Sequence, residues 1–185
     1  GGFTLDYGPF GFCEMFDPSF QPWTGGGQHF AFWNQPLAAQ RNFEMFCAAL
    51  RPLLTSHPAQ MLQLDALLEG FADAIQTELE AMWAAKLGLK NFDLKLFGTL
   101  ANLMVETSVD YTIFFRELSS IPEDIEPLKR SFYGQLNASL ESDWREWHSR
   151  WKQLLGTDRS AQEISTQMKQ VNPKYCLREW LLAPA

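Results

Sequence analysis

The sequence predicts a mainly α-helical fold, and three observations carry that prediction. From Leu37 onward, apolar residues recur at the three-and-four spacing of one helix face. Two Ser-x-x-Glu strings, Ser120–Glu123 and Ser160–Glu163, read as capping boxes that start helices. Only Phe3-Thr4-Leu5, apolar or β-branched and bounded by glycines, reads as a short strand. With 185 residues, 46% hydrophobic and 14% aromatic, the chain is long and apolar enough to bury one core, and it is expected to form a single domain over 1–185.

After the strand, residues 7–36 read as loop, punctuated by Pro9, Pro18, Pro22, Pro36 and Gly25-Gly26-Gly27. A connection this long is usually functional. No Gly-Lys-Ser/Thr follows the triple glycine, so it reads as a flexible tip and not as a phosphate cradle. The first helix carries Phe43, Phe46, Cys47, Leu50 and Leu54 on one face, with Pro52 expected to kink it or end its last turn. After Ser56-His57-Pro58 one long helix is expected, striped by Leu64, Leu67, Leu68, Phe71, Ile75, Leu79, Met82 and Trp83 and stopped at Gly88.

Leu94, Phe97, Leu100, Ala101 and Met104 mark the next helix. Asp110-Tyr111-Thr112 then opens a short aromatic segment with Phe114, Phe115 and Leu118. The box at Ser120 is expected to start another helix. Leu140, Trp144, Trp147, Trp151 and Leu154 line a further face, whose aromatic row is read as core packing. Gly156 breaks the chain before the box at Ser160, and Tyr175, Leu177, Trp180 and Leu181 suggest a last docked helix after Asn172-Pro173.

Composition excludes several function classes. A net charge of −7 argues against nucleic-acid binding, which needs a clustered basic face. No apolar run approaches the roughly 18–20 residues of a membrane helix, so no membrane partner is expected. Cys13, Cys47 and Cys176 form no C-x-x-C and no zinc spacing, and Cys47 falls on an apolar helix face as core. His29, His57 and His148 are far apart and lack carboxylates at metal-binding spacing. Glu141, Asp143, Glu146, Arg145, Arg150 and Lys152 read as a solvated charged face, and Asn137-Ala138-Ser139 matches a glycosylation sequon that matters only in a secreted protein.

One chemical signal remains, at the start. Asp6 ends the short strand, and Gly8 and Pro9 turn the chain after it. A carboxylate at a strand end followed by a freed backbone is how protein kinases hold nucleotide-bound magnesium. Mg²⁺ needs only one or two carboxylates, because substrate phosphates and waters complete its shell. Asp6-Tyr7-Gly8 therefore makes Asp6 the candidate metal and nucleotide-cofactor ligand, for Mg²⁺ or Mn²⁺ with ATP as substrate. Read alone, the triplet favours a turn with Asp6 as side-chain acceptor over a metal site.

The longer strings extend the signal. Leu5-Asp6-Tyr7-Gly8-Pro9-Phe10-Gly11-Phe12 with Phe16-Asp17-Pro18, then Phe30-Ala31-Phe32-Trp33-Asn34-Gln35-Pro36, Asp110-Tyr111-Thr112 with Phe115-Arg116-Glu117-Leu118, and Asn172-Pro173-Lys174-Tyr175-Cys176-Leu177-Arg178 together resemble the selenoprotein O family of kinase-fold proteins. The resemblance runs in order from residue 2 to about residue 182. It implies a pseudokinase-like fold that binds ATP inverted and transfers AMP to protein hydroxyls. It also implies a division into a metal-binding strand end and activation-segment-like loop (1–36) and a helical C-lobe (37–185).

The family's glycine-rich loop, ATP-positioning lysine and catalytic Asp-Asn pair would precede Asp6. The chain opens inside a strand without an initiator Met, and is read as the C-terminal lobe of a longer protein, inactive alone. In some relatives a disulfide from this loop to a C-terminal cysteine is thought to control the loop. Cys13 and Cys176 would form it if the fold brings their Cα atoms within about 7 Å, and are otherwise reduced thiols. Arg116 and Arg178, inside family-like strings, are expected to make structural ion pairs or touch the activation segment. By resemblance the compartment is cytoplasmic in a bacterium and mitochondrial in a eukaryote. Two other functions fit the same fold: a conventional phosphotransferase moving the γ-phosphate, and a non-catalytic pseudokinase scaffold.

Overall fold

The structure is a computed structural model that describes residues 14–21, 27–176 and 178. Among these residues are seven α-helices: α1 Gln35–Leu50, α2 Pro58–Glu69, α3 Phe71–Leu87, α4 Leu94–Thr107, α5 Tyr111–Leu118, α6 Ala138–Leu155 and α7 Ala161–Val171. Among the described residues there is no β-strand; two isolated bridges, Met15 to Asp110 and Val109 to Phe132, are the only β pairing. The strand expected at Phe3–Leu5 lies outside the described residues. No helix among them is long and apolar enough to cross a membrane. The chain parts into two compact units, Pro18–Leu79 forming the described portion of one, and residues 14–17 with those from Glu80 onward forming the other.

In the first unit, two 3-10 turns at Gln28–Phe30 and Phe32–Asn34 lead into α1. They are pinned by backbone bonds from Phe32 N to Phe20 O (2.7 Å) and from Trp33 N to Pro18 O (2.9 Å). Helix α1 ends in a 3-10 turn over Arg51–Leu54 that contains Pro52, as the missing proline N–H requires. Cys47 is fully buried, as its apolar face predicts, whereas Phe46 on the same expected stripe is exposed. Phe43 stacks on Phe71 with ring centroids 4.4 Å apart, and Arg51 pairs with Asp65 of α2.

The expected long helix after Pro58 is two helices, broken at Gly70. There the backbone N–H reaches both Ala66 O and Leu68 O, a tightened final turn. Glycine has the weakest helix preference of the non-proline residues, and the apolar stripe runs through it without registering the break.

The second unit is built on capped helices around an aromatic core. Asp93 caps α4 by accepting from Leu96 N (2.6 Å), and Asn137 caps α6 by accepting from Leu140 N (2.8 Å). Asn137 of the sequon is thus a helix cap. Ser160 and Glu163 form the reciprocal capping box expected at the start of α7. Gly88 ends α3 with φ +70°, and a Cβ there would lie 2.6 Å from Met168 Sδ, so a glycine is needed for both backbone and space. Gly156, with φ +72°, makes the break after α6.

Trp144, Trp147 and Trp151 of α6 are core residues, each 2% exposed or less. Their indole N–H groups donate to Thr107 Oγ1 (2.9 Å), Leu96 O (3.1 Å) and Leu87 O (2.8 Å), so no buried donor is stranded. Leu154, expected on this face, is 41% exposed.

The expected capping box at Ser120 does not form. Ile121 takes φ +52° ahead of Pro122, which excludes the helical start that a box requires. Burial of Ile121, Ile125 and Leu128 holds this turn, and Glu123 pairs instead with Lys152 at 3.1 Å. A 3-10 turn over Pro127–Ser131 follows. Of the expected last helix, residues 173–176 are non-helical and Tyr175 is exposed; Leu177, Trp180 and Leu181 lie outside the described residues.

Candidate functional site

Asp6 and Cys13 lie outside the described residues. The site begins at Glu14, eight residues after Asp6. Here the backbone is held against the N-terminus of α5: Tyr111 N donates to Glu14 O (2.9 Å) and Phe16 N to Val109 O (2.8 Å). Phe16 is buried and stacks on Tyr111, centroids 5.9 Å apart.

Asp110 is the hub. As N-cap of α5 it accepts from Ile113 N (2.9 Å), and its own N–H donates to Ser131 O (2.7 Å). Its carboxylate is buried, and Arg178 Nη1 answers the charge at 2.7 Å from Oδ2. The same Nη1 reaches Glu14 Oε1 at 3.0 Å. Tyr133 Oη completes the cluster, 2.7 Å from Glu14 Oε1 and 3.0 Å from Asp110 Oδ2, donating to either carboxylate.

Burial, then these two carboxylates, push the Tyr133 phenol above its ordinary range. The hydrogen bond to Asp110, above all, raises Arg178 further, so the guanidinium keeps its charge at any relevant pH. Gly134 brings Tyr133 close: a Cβ at Gly134 would lie 2.7 Å from Thr107 O.

Behind the hub lies a second polar cluster. Lys86 of α3 is 8% exposed; its Nζ donates to Asn172 Oδ1 (2.9 Å) and sits 4.5 Å and 5.1 Å from the ring centroids of Phe115 and Tyr111. Asn172, fully buried, donates from Nδ2 to Lys86 O (2.9 Å) and Ser119 Oγ (3.0 Å). Arg116 Nη1 donates to Asn172 O (3.1 Å) and Lys169 O (3.3 Å). Cys176 Sγ accepts from Thr112 Oγ1 at 3.5 Å.

Among the described residues Lys86 makes no ion pair, and burial lowers it from 10.5 to about 8. The unfolded chain therefore binds this proton more tightly than the fold, and Lys86 contributes stability that increases as pH rises from about 8 to 10.5. The full span corresponds to about 3 kcal/mol. Lys86→Met is expected to flatten this rise, read as urea midpoint against pH; an unchanged slope would show that another group causes it.

The groove against α6, about 530 Å³, is lined by Glu123, Asp124, Arg145, His148 and Lys152 among others. Its charges are spent locally: Lys152 pairs with Glu123 (3.1 Å) and Arg145 with Glu141 (2.5 Å). His148 Nε2 is 3.1 Å from Pro122 O, and burial lowers its pKa. Arg150, placed by sequence on a solvated face, pairs with Asp93 at 3.3 Å. No group of three or more His, Cys, Asp or Glu that could hold a metal occurs among the described residues.

Of the residues singled out from sequence, Arg178 and Asp110 meet in the hub, and Arg116 is an anchor for carbonyls. Glu14 and Tyr133 carried no local signal.

The chain is similar in sequence to a defined class of enzymes, the protein nucleotidyltransferases. The family model described as "Protein adenylyltransferase SelO" matches residues 1–184. The protein nucleotidyltransferase YdiU of Flavobacterium johnsoniae is 32% identical over 194 residues, covering 97% of this chain and 36% of that protein. The YdiU proteins of Aromatoleum aromaticum and Ralstonia nicotianae are each 34% identical, covering 100% and 97% of this chain and 36% and 38% of their own lengths. The chain belongs to the protein adenylyltransferase SelO family, and it spans a little over a third of the length of these relatives.

Proposed function

We propose that this chain is the kinase-like C-lobe of a protein adenylyltransferase, which transfers AMP from ATP to Ser, Thr or Tyr hydroxyls of proteins. The observation that carries this reading is the family match over residues 1–184, which includes Asp6-Tyr7-Gly8. Asp6 is the metal ligand in this reading. A single carboxylate suits Mg²⁺ or Mn²⁺ held jointly with ATP phosphates, and such a site needs no cluster of three protein ligands. When bound, the ion would neutralise charge on the phosphate oxygens.

The acceptor hydroxyl oxygen bonds to the α-phosphorus, the bond from that phosphorus to the α,β-bridging oxygen breaks, and pyrophosphate leaves. The hydroxyl proton goes to a general base that is not assigned among the described residues. What the chain itself does is hold: Asp110, Tyr133 and Arg178 fasten Glu14, and backbone bonds fasten Phe16, downstream of Asp6. Residues 1–185 alone are expected to transfer nothing.

The test uses protein expressed from the full reading frame, with Mg²⁺ or Mn²⁺ and a mixed protein extract, and ATP labelled at either the α- or the γ-phosphate. Label retained on protein from the α-position alone supports the reading. Retention from the γ-position alone makes the protein a phosphotransferase. Neither label, in folded protein, makes it a scaffold.

A further inference from the structure

We propose that Lys86 and Asn172 form a proton-coupled latch that fastens residues 172–176 to α3 and α5, opening as a local unit and taking up a proton as it opens. The bonds run in both directions. Lys86 Nζ donates to Asn172 Oδ1 (2.9 Å), and Asn172 Nδ2 donates back to Lys86 O (2.9 Å) and to Ser119 Oγ (3.0 Å), the C-cap of α5. Arg116 Nη1 holds the Asn172 carbonyl (3.1 Å), and Cys176 Sγ accepts from Thr112 further along. All of these residues belong to the second unit.

Little apolar surface holds this segment. Of residues 171–176 only Asn172 is buried; Val171, Pro173, Lys174 and Tyr175 are exposed. Segments with few buried apolar contacts open at a fraction of the cost of global unfolding. The polar bonds of Asn172 therefore decide whether the segment is docked.

Closing the latch buries an ammonium group. The fold offers it an amide oxygen and the ring faces of Phe115 and Tyr111, and among the described residues no carboxylate pairs with it. The charged groups around Asn172 supply no counter-charge. Arg116 of α5 is itself positive, Lys169 of α7 offers its carbonyl to Arg116 (3.3 Å), and Glu117 of α5 is paired with Arg130 (3.2 Å). Burial lowers Lys86 from 10.5 to about 8, and release into water restores the ordinary value. Between those values the open form binds a proton that the closed form lacks, so opening becomes harder as pH rises; well below 8 both forms hold it and the dependence fades. Linkage over that interval gives about a tenfold fall in opening from about pH 7 to about pH 9.

The experiment uses protein from the full reading frame and does not depend on the adenylyltransferase reading. Amide exchange is read at Asn172, whose N–H donates to Met168 O (2.8 Å), and at Trp147, buried in α6, as the core reference. Exchange is pulsed in the cold, where reclosing outpaces the chemistry, and corrected for intrinsic rates, with and without sub-denaturing urea. Wild-type protection at Asn172 is expected to be lower than at Trp147, insensitive to urea, and about tenfold higher at the upper pH. Lys86→Met, which cannot titrate, should abolish the rise. Arg116→Ala should lower protection several-fold and leave the rise intact, and Lys95→Met, at an exposed lysine of α4, should change neither.

A flat wild-type profile overturns the proposal, as does a rise that survives in Lys86→Met. Urea dependence at Asn172 equal to that at Trp147 also overturns it, because opening is then unfolding of the whole unit. If Lys86→Met does not fold, Lys86→Arg carries the test: a side chain charged at every pH used should show no rise, and a rise would contradict the latch.

Discussion

Asp6→Ala, in protein from the full reading frame, is expected to lower AMP transfer by at least about 10²–10³-fold, the scale set by removing one preorganised electrostatic contact. The melting temperature should stay near that of the wild type. The two outcomes separate because the substitution deletes a charge and no large apolar surface, while Mg²⁺ with so few protein ligands depends on each one. Transfer is followed with α-labelled ATP at saturating metal, and unfolding by calorimetry. Turnover like the wild type's would remove Asp6 from the site; loss of activity with a collapsed melting transition would make it structural.

Trp144→Ala carries the largest expected cost in stability. The indole is fully buried, stacks on Phe132 with centroids 4.8 Å apart, and contacts Phe114 and Trp147 at 5.5 and 5.7 Å. Truncating a buried tryptophan costs about 3–5 kcal/mol, through lost transfer energy and the cavity left behind. The Thr107 hydroxyl also loses its donor, worth about 1 kcal/mol more. Against a typical total of about 5–15 kcal/mol, this brings the unit close to unfolding. Urea denaturation followed by tryptophan fluorescence measures it. A change below about 1 kcal/mol would mean that the aromatic row is not the core.

The helical course of the second unit was legible in part, where a start or stop has a local chemical cause. Asp93, Asp110, Asn137 and Ser160 are polar caps ahead of apolar periodicity, and Gly88 and Gly156 adopt the positive φ that ends helices. Where competing forces decide, sequence pattern misleads. Ser120–Glu123 has the letters of a capping box, but buried Ile121 and the proline after it set a different backbone. Gly70 interrupts a stripe that shows no change in period.

The hub was half legible. Asp110 stands where a cap belongs, but Tyr133 meets Glu14 across 119 residues of sequence, and no local signal reports such a contact. Lys86 is similar: an exposed lysine is the default expectation, and only the tertiary fold supplies Asn172 and two ring faces. Asp6 is a different case: it lies outside the described residues, and its triplet is proposed as a metal site only because of the strings around it.

The most direct test of the adenylyltransferase account is to identify the small-molecule product released when protein from the full reading frame modifies a protein acceptor. Pyrophosphate released in equal amount to the protein adduct, with no ADP, is the result predicted by attack at the α-phosphorus. ADP released together with phosphorylated protein would contradict it and make the chain part of a conventional kinase.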